Sequence, residues 1–373
     1  MGLFKNIGDV VRFTQLPKNK KQITFYSEGK NYWPDLEGLV LEILNTTNLN
    51  VCFVSSGKDD PGFLIQHENY QIFKIDEGFV RNWFFENIET DVFIMTMPDI
   101  NKYQVKRSKN NVHYIYVQHS LVSLHMVYRK GAFDHYDTIF CAGPHHVQEI
   151  RAMETTLNLE PKNLVEHGYP RLDTILKEGQ NKIMQKEIRN SIHILVAPSW
   201  GENATIESGI GIKIVDRLIS SGYKVTLRPH PQTIKFAKNK IDTIIKKHKG
   251  NNMFVYESSI SGNESLYSSD IMISDWSGAA LDYAFGLGKP VWFVDVPRKV
   301  NNHSYKELDI LPLEVAIREK IGQVIDINNL KDFPHMYKNF SDFNKEVRNN
   351  YVYNVGKSAQ VGVEAIKEYF DER

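Results

Sequence analysis

Short, wholly apolar runs alternating with helix-like stretches constrain this chain more than any other feature. In the first half the runs are QITFYSE from Gln22, NVCFVSS from Asn50, DVFIMTM from Asp91, HYIYVQH from His113, DTIFCAG from Asp137 and NLVEHGY from Asn163. The second half has IHILVAPS from Ile192, KVTLRPHP from Lys224, MFVYE from Met253, IMISDWS from Ile271 and PVWFVDV from Pro290. Strands apolar on both faces and separated by helices belong to parallel sheets covered on both sides. Two such series predict an α/β chain of two facing Rossmann-like domains with an interdomain cleft. The polar, charged segment 177–189 (KEGQNKIMQKEIR) separates the series. It sets the expected domains at residues 1–180 and 181–355, with 356–373 as a terminal helix.

Composition narrows the class. The 373 residues suffice for two cores, and 42% hydrophobic with 24% charged residues describes a soluble globular chain. Forty-five basic side chains match forty-five acidic ones, so no net field draws the chain to nucleic acid. Cys52 and Cys141 lie inside apolar runs and read as core thiols of a reducing compartment. No run approaches the ~20 apolar residues that span a bilayer. The N-terminus, MGLFKNIGDVVRFTQL, instead puts Leu3, Ile7, Val10, Val11 and Phe13 on one helical face, with Lys5 and Arg12 away from it. A helix docked on its own domain and a peripheral membrane contact through residues 2–14 are both open readings. Asn6 stands where the myristoylation pattern requires Ser or Thr. The expected location is the cytoplasm, with the inner face of the cell membrane as the peripheral site.

Ligands of doubly wound domains bind beyond the carboxyl ends of the strands, so functional residues should follow strands. His119 follows HYIYVQ and is either a general base or a hydrogen-bonded structural histidine. In Arg228-Pro229-His230-Pro231 two prolines fix the backbone, Arg228 offers a fork for phosphate oxygens, and His230 can donate to a phosphate or leaving group. Ser274-Asp275-Trp276-Ser277-Gly278 passes from strand to helix. Its free N–H groups and the Ser277 hydroxyl form an anion site or a simple N-cap. Arg171 in GYPRLD and Ser199 in PSWGEN are further cleft candidates. The histidines at 119, 125, 135, 145, 146 and 167 lack metal-binding spacing, so neither metal nor cofactor is expected. No G-x-S-x-G elbow, P-loop or G-x-G-x-x-G fingerprint occurs.

From about Tyr116 to Arg298 these motifs, in this order, resemble the CDP-glycerol glycerophosphotransferase family of teichoic-acid and capsule-polymer synthesis. The family's histidine-glycine motif falls at Gln118-His119-Ser120, its glycine-proline-arginine-aspartate motif at GYPRLD, its arginine-histidine-proline motif at RPHP and its serine-aspartate-serine motif at SDWSG. The resemblance implies a GT-B fold and transfer of glycerol phosphate, or a related alditol phosphate, from a CDP-linked donor to a hydroxyl, releasing CMP. It implies His119 as general base, His230 on the phosphate bridge, and Ser277 with the helix from Gly278 on the donor phosphates. Asp282 matches an acidic residue of that helix. Three positions depart from the pattern: Ser120-Leu121 where members have Gly and Thr, Gly201 where many have Arg, and Gly278 where a second Ser is common. The long N-terminal extension of polymerising members has no counterpart here, which implies a compact enzyme adding one unit.

The expected chemistry is in-line attack of an acceptor hydroxyl on the donor's distal phosphorus, with imidazoles from opposite lobes converging on one pyrophosphate. The acceptor would be a polymer or a lipid-linked saccharide. Three other readings keep the fold: a GT-B glycosyltransferase using a nucleotide sugar, a sugar-nucleotide epimerase, and a non-catalytic nucleotide-binding subunit of a polysaccharide assembly complex.

Overall fold

The computed structural model describes residues 2–103, 105–183, 191–258, 263–325 and 341–372. Helix α1 (Gly2–Thr14) precedes β1 (Ile23–Ser27), α2 (Trp33–Thr46), β2 (Val51–Ser55), β3 (Tyr70–Lys74), α3 (Phe79–Asn87), β4 (Val92–Met95) and β5 (His113–Val117). There follow α4 (Leu124–Val127), β6 (Thr138–Cys141), α5 (Pro144–Leu157) and β7 (Asn163–Glu166). The seven strands form one parallel sheet in the order β3-β2-β1-β4-β5-β6-β7. Helix α6 (Pro170–Ile183) leads to β8 (His193–Val196), α7 (Ile210–Ser220), β9 (Lys224–Leu227), α8 (Pro231–Phe236), α9 (Lys238–Lys247) and β10 (Phe254–Tyr256). Next come α10 (Glu264–Ser268), β11 (Ile271–Ser274), α11 (Gly278–Leu287), β12 (Val291–Val294), α12 (Leu313–Ala316), α13 (Arg318–Ile321) and β13 (Gly322–Ile325). The second parallel sheet runs β10-β9-β8-β11-β12-β13, and α14 (Ser341–Tyr351) and α15 (Ser358–Asp371) end the chain.

All eleven expected strands are present. β3 and β13 are additional, and both lie on sheet edges. An edge strand is covered less completely, so its sequence need not be apolar throughout. YQIFK and GQVI are accordingly only part-buried. Strand order reverses between β1 and β4 in the first sheet and between β8 and β11 in the second. These are the two places where loops diverge and leave a crevice. The expected boundary at 177–189 falls on α6 and on residues beyond Ile183 that lie outside the described ones.

An apolar seam joins the lobes. Leu121, Val122, Tyr169, Leu172 and Ile175 of the first half pack with Ala280, Leu281, Ala284 and Phe285 of α11. Full burial of a Leu or Ile side chain contributes about 1.5–3 kcal/mol, so this seam fixes the lobes rather than tethering them. The chain then returns to its starting lobe. Tyr353 N–H donates to Ala142 O at 2.9 Å, and Val363 and Ile366 of α15 enter the core beside α2. Asp173 accepts from the N–H groups of Gly356 (2.6 Å) and Ser358 (3.0 Å) and from the Ser358 hydroxyl (2.5 Å).

Helix α1 divides its apolar residues. Val10 and Phe13 are buried, with the Phe13 ring edge-on to Phe73 (5.2 Å) and Phe84 (4.9 Å). Ile7 and Val11 are each 44% exposed. Arg12, expected away from the apolar face, lies 4.2 Å above the Phe73 ring and pairs with Asp9 at 2.9 Å. The side chains of Leu3 and Lys5 lie outside the described residues. Cys52 and Cys141 are free and buried.

Gly143 marks where the returning chain crosses the first lobe: a Cβ there would lie 1.8 Å from Tyr351 O, a backbone atom that cannot swing aside. Gly143→Ala should therefore lower stability by about 1–3 kcal/mol, the scale of overpacking, measured by urea denaturation. A stability within 0.5 kcal/mol of the parent (about the scatter of neutral surface changes) would show that the crossing yields.

Candidate functional site

His119 lies just past β5, beside the first sheet's reversal point. Its Nδ1 meets the Tyr116 hydroxyl at 3.1 Å and its Nε2 the Tyr128 hydroxyl at 3.3 Å. The Tyr32 ring stands edge-on at 5.8 Å. Burial pushes the imidazole down to about 4, against a backbone interaction with Thr96 and reinforced by the Arg171 charge. A neutral ring at pH 7 follows.

Other histidines hold the His119 loop in place. His145 Nε2 donates to Leu121 O (2.9 Å) and His146 Nε2 to Val122 O (3.0 Å), while His146 Nδ1 accepts from Ala142 N–H (3.2 Å). That last contact places the His146 proton on Nε2. From the second lobe, Glu314 accepts the Ser123 N–H (2.9 Å) and hydroxyl (2.8 Å). His125 Nδ1 lies 3.2 Å from the buried Glu149 carboxylate. Among the described residues, no three His, Cys, Asp or Glu side chains converge as a metal site.

In the second lobe the expected residues separate into two layers. Asp275 is buried and accepts from the N–H groups of Ser199 (2.6 Å), Trp276 (2.7 Å) and Thr205 (3.0 Å) and from the Thr205 hydroxyl (2.8 Å). Ser274 donates to Ala197 O at 2.8 Å. Asp275, Ser274 and the Ser199 backbone thus tie the loops after β8 and β11 together, a framework position where phosphate contact was expected. A carboxylate holding four protein donors suits that position, because burial leaves it no water to bond.

The other layer lines a cavity of about 80 Å³ between the lobes: Arg171, Arg228, His230, Ser277 and Asp282 all border it. His119 does not. Arg228 Nη1 donates to Ser265 Oγ at 3.1 Å. The His230 side chain caps α8 through Nδ1, which accepts from Gln232 N–H (3.1 Å) and leaves its proton on Nε2. Burial first, then the Lys299 charge, brings this imidazole down to about 4. The Ser277 hydroxyl accepts from Ala279 N–H at 3.3 Å, so the capping role is filled. Arg171 Nε pairs with Asp282 Oδ2 at 3.1 Å across the lobes. Asp35, in the first turn of α2, adds a third buried titratable group. Burial pushes its carboxyl up to about 7, Arg171 pulls it back and Asp282 raises it further.

Sequence reasoning missed Tyr32, Asp35, Tyr128 and Glu314. Tyr32 and Asp35 stand just past β1, where the rule of residues following strands would have found them. Tyr128 and Glu314 carry no local signal.

A family model described as CDP-Glycerol:Poly(glycerophosphate) glycerophosphotransferase matches residues 10–300, more than half of the chain. The chain belongs to this family. It is a CDP-glycerol glycerophosphotransferase-like enzyme of two parallel-sheet α/β domains in the GT-B arrangement. No curated protein matches it in sequence. Among solved structures it is similar to the wall teichoic acid polymerase TagF, at 14% identity over 99% of this chain and 95% of that one, TM-score 0.65. A histidine-to-asparagine TagF variant soaked with CDPG matches at 16% identity, 99% and 95% coverage and TM-score 0.58. UDP-GlcNAc 2-epimerase from Neisseria meningitidis bound to UDP-GlcNAc matches at 12% identity, 93% and 99% coverage and TM-score 0.57.

Two departures from the glycerophosphotransferase pattern prove to be one. A Cβ on Gly278 would lie 2.3 Å from Ser120 Oγ, so a side chain at 278 and a hydroxyl at 120 compete for the same space. Ser120, from the first lobe, thus brings its hydroxyl to the start of α11 in the second. Gly278→Ser should lower the melting temperature, and Ser120→Gly/Gly278→Ser should recover most of the loss. Equal melting temperatures for both variants would show that the positions are independent. Arg171→Met strips a buried cation from two buried carboxylates and should cost about 3–5 kcal/mol in urea unfolding. A loss below about 1 kcal/mol, surface-pair scale, would mean the pair is water-screened.

Proposed function

We propose that this enzyme transfers glycerol phosphate, or a related alditol phosphate, from a CDP-linked donor to an acceptor hydroxyl and releases CMP. The observation that carries the reading is the seating of the His119 loop, through Ser120, on Gly278 at the start of α11. Ser120, next in sequence to the neutral His119, thereby reaches the start of α11, where Ser277 and Ala279 line the interlobe cavity. The acceptor oxygen bonds to the donor's distal phosphorus as the bond to CMP breaks, and its proton goes to His119 Nε2. Nε2 is the ring nitrogen with the longer tyrosine contact, at 3.3 Å against 3.1 Å. Charge on the phosphate oxygens is met by Arg228, by the Nε2–H of His230 and by the helix start. Asp282, held by Arg171, offers a carboxylate to a hydroxyl of the transferred group. No cofactor is required in this scheme.

We place the acceptor as a polymer or lipid-linked saccharide on the inner face of the cell membrane. Among the described residues no helix is long and apolar enough to cross a membrane. Apolar side chains are nevertheless exposed on neighbouring α1 and α3: Ile7, Val11, Phe79 (83%) and Trp83 (42%). They support a peripheral contact through residues 2–14 together with α3.

With CDP-glycerol and a hydroxyl acceptor, phosphorus NMR should show a new phosphodiester and one CMP per turnover. A glycosidic product from a nucleotide sugar, with no phosphodiester, would instead support the glycosyltransferase reading. His119→Ala should reduce turnover ~10²–10⁴-fold, the usual worth of a general base, with CDP-glycerol binding kept. Because His119 loses its proton near 4, kcat/KM should stay level from about pH 7 down to about pH 5.5. A fall centred near the ordinary histidine value would place the proton acceptor elsewhere.

A further inference from the structure

Lys299, in the loop after β12, belongs to none of the groups assigned above. Its ammonium lies 4.4 Å from the centroid of the Trp200 ring. That ring stacks on His230 at 5.9 Å and 29°, and His230 lines the interlobe cavity. Loops following β8, β9 and β12 thus meet in one stack of indole, imidazole and ammonium.

Among the described residues Lys299 has no ion pair and no hydrogen bond; the Trp200 face is its partner. The carboxylates nearest in effect are Asp275 and Glu207. Asp275 already holds four protein donors; Glu207 accepts the Thr233 hydroxyl at 2.7 Å through Oε1, and its buried Oε2 makes no hydrogen bond to Lys299 or to any other described group. Burial lowers the Lys299 ammonium to about 8, with those two carboxylates opposing. A ring face returns only part of what an ion loses on leaving water. An anion beside it would return the rest. His230 cannot supply that positive charge, since its Nδ1 accepts from Gln232 N–H and Lys299 itself disfavours protonation.

We propose that Lys299 is a further catalytic residue, binding the phosphate of the departing nucleotide next to His230. The inference rests on the phosphotransfer reading. As the bond from the transferred phosphorus to the bridging oxygen breaks, that oxygen takes the electron pair and the CMP phosphate gains negative charge. Lys299 meets this charge at fixed distance, and the hydrogen bond from His230 Nε2 orients it. Trp200 holds the ammonium in place and keeps water from one side.

Calorimetric titration of the full chain with cytidine, CMP and CDP tests this directly. Lys299→Met should weaken CMP and CDP binding about 10- to 100-fold, the range of a charge-assisted hydrogen bond, and leave cytidine binding unchanged. Lys299→Arg should keep most of the phosphate affinity. For the unmodified protein, CMP affinity should fall between pH 7 and pH 9 as the ammonium deprotonates, and Lys299→Arg should abolish that fall. This pH arm needs no Lys299→Met protein and so stands if that variant does not fold. Equal CMP binding by Lys299→Met, an equal loss for cytidine, or a pH-independent CMP affinity would each overturn the role of Lys299. Failure of the unmodified protein to bind CMP or CDP at all would instead sink the phosphotransfer reading and this inference with it.

Discussion

One buried guanidinium decides whether the two lobes can face each other. Arg171 begins the helix that leaves the first lobe, and it pairs with Asp282 on the second. Asp35 adds a further carboxyl from the first lobe. Without the arginine, the two acids would lose their main counter-charge, leaving Arg228 to act on Asp282 and the Tyr169 hydroxyl on Asp35. With it, α6 packs on α11 and the cavity-lining residues meet. The GYPRLD stretch therefore does two jobs two residues apart, since Asp173 fastens the returning chain.

The electrostatic character of the cleft is a separation of tasks. The two imidazoles are held neutral by burial, near 4 in both cases, and positive charge comes instead from Arg171 and Arg228, with Lys299 charged below about pH 8. On the proposed chemistry this is a consistent division. A base must be unprotonated to work, and a phosphate oxygen is best met by a group whose charge does not depend on the reaction. The price is that both histidines need firm support. Tyr116 and Tyr128 supply it for one, the α8 cap and Trp200 for the other.

Much of the fold was legible because central strands of parallel sheets are apolar on both faces. Eleven apolar runs became strands, nine of them central and two, β7 and β10, at sheet edges, whereas the edges β3 and β13 did not show the pattern and went unseen. At the site, the sequence located the loops and not the division of labour within them. Arg228 and His230 border the cavity, but Asp275, three residues from Gly278, turns inward and organises two loops. No local pattern distinguishes a carboxylate that faces a ligand from one that satisfies backbone amides. The tyrosines around His119 and the contact between Ser120 and Gly278 arise from residues distant in sequence, so only the folded chain reveals them.

The return of the chain to its first lobe has a mechanical consequence. The polypeptide passes between the lobes twice, once through α6 and once between α14 and α15, and the two passages lie side by side through Asp173. Two parallel strands of backbone behave as a door hinge with two pins: they permit swing about the line joining them and resist twist and shear. Any opening of the cleft is therefore confined to one rotational degree of freedom. Paired in this way, the two crossings hold the lobes in register while the apolar seam holds them together.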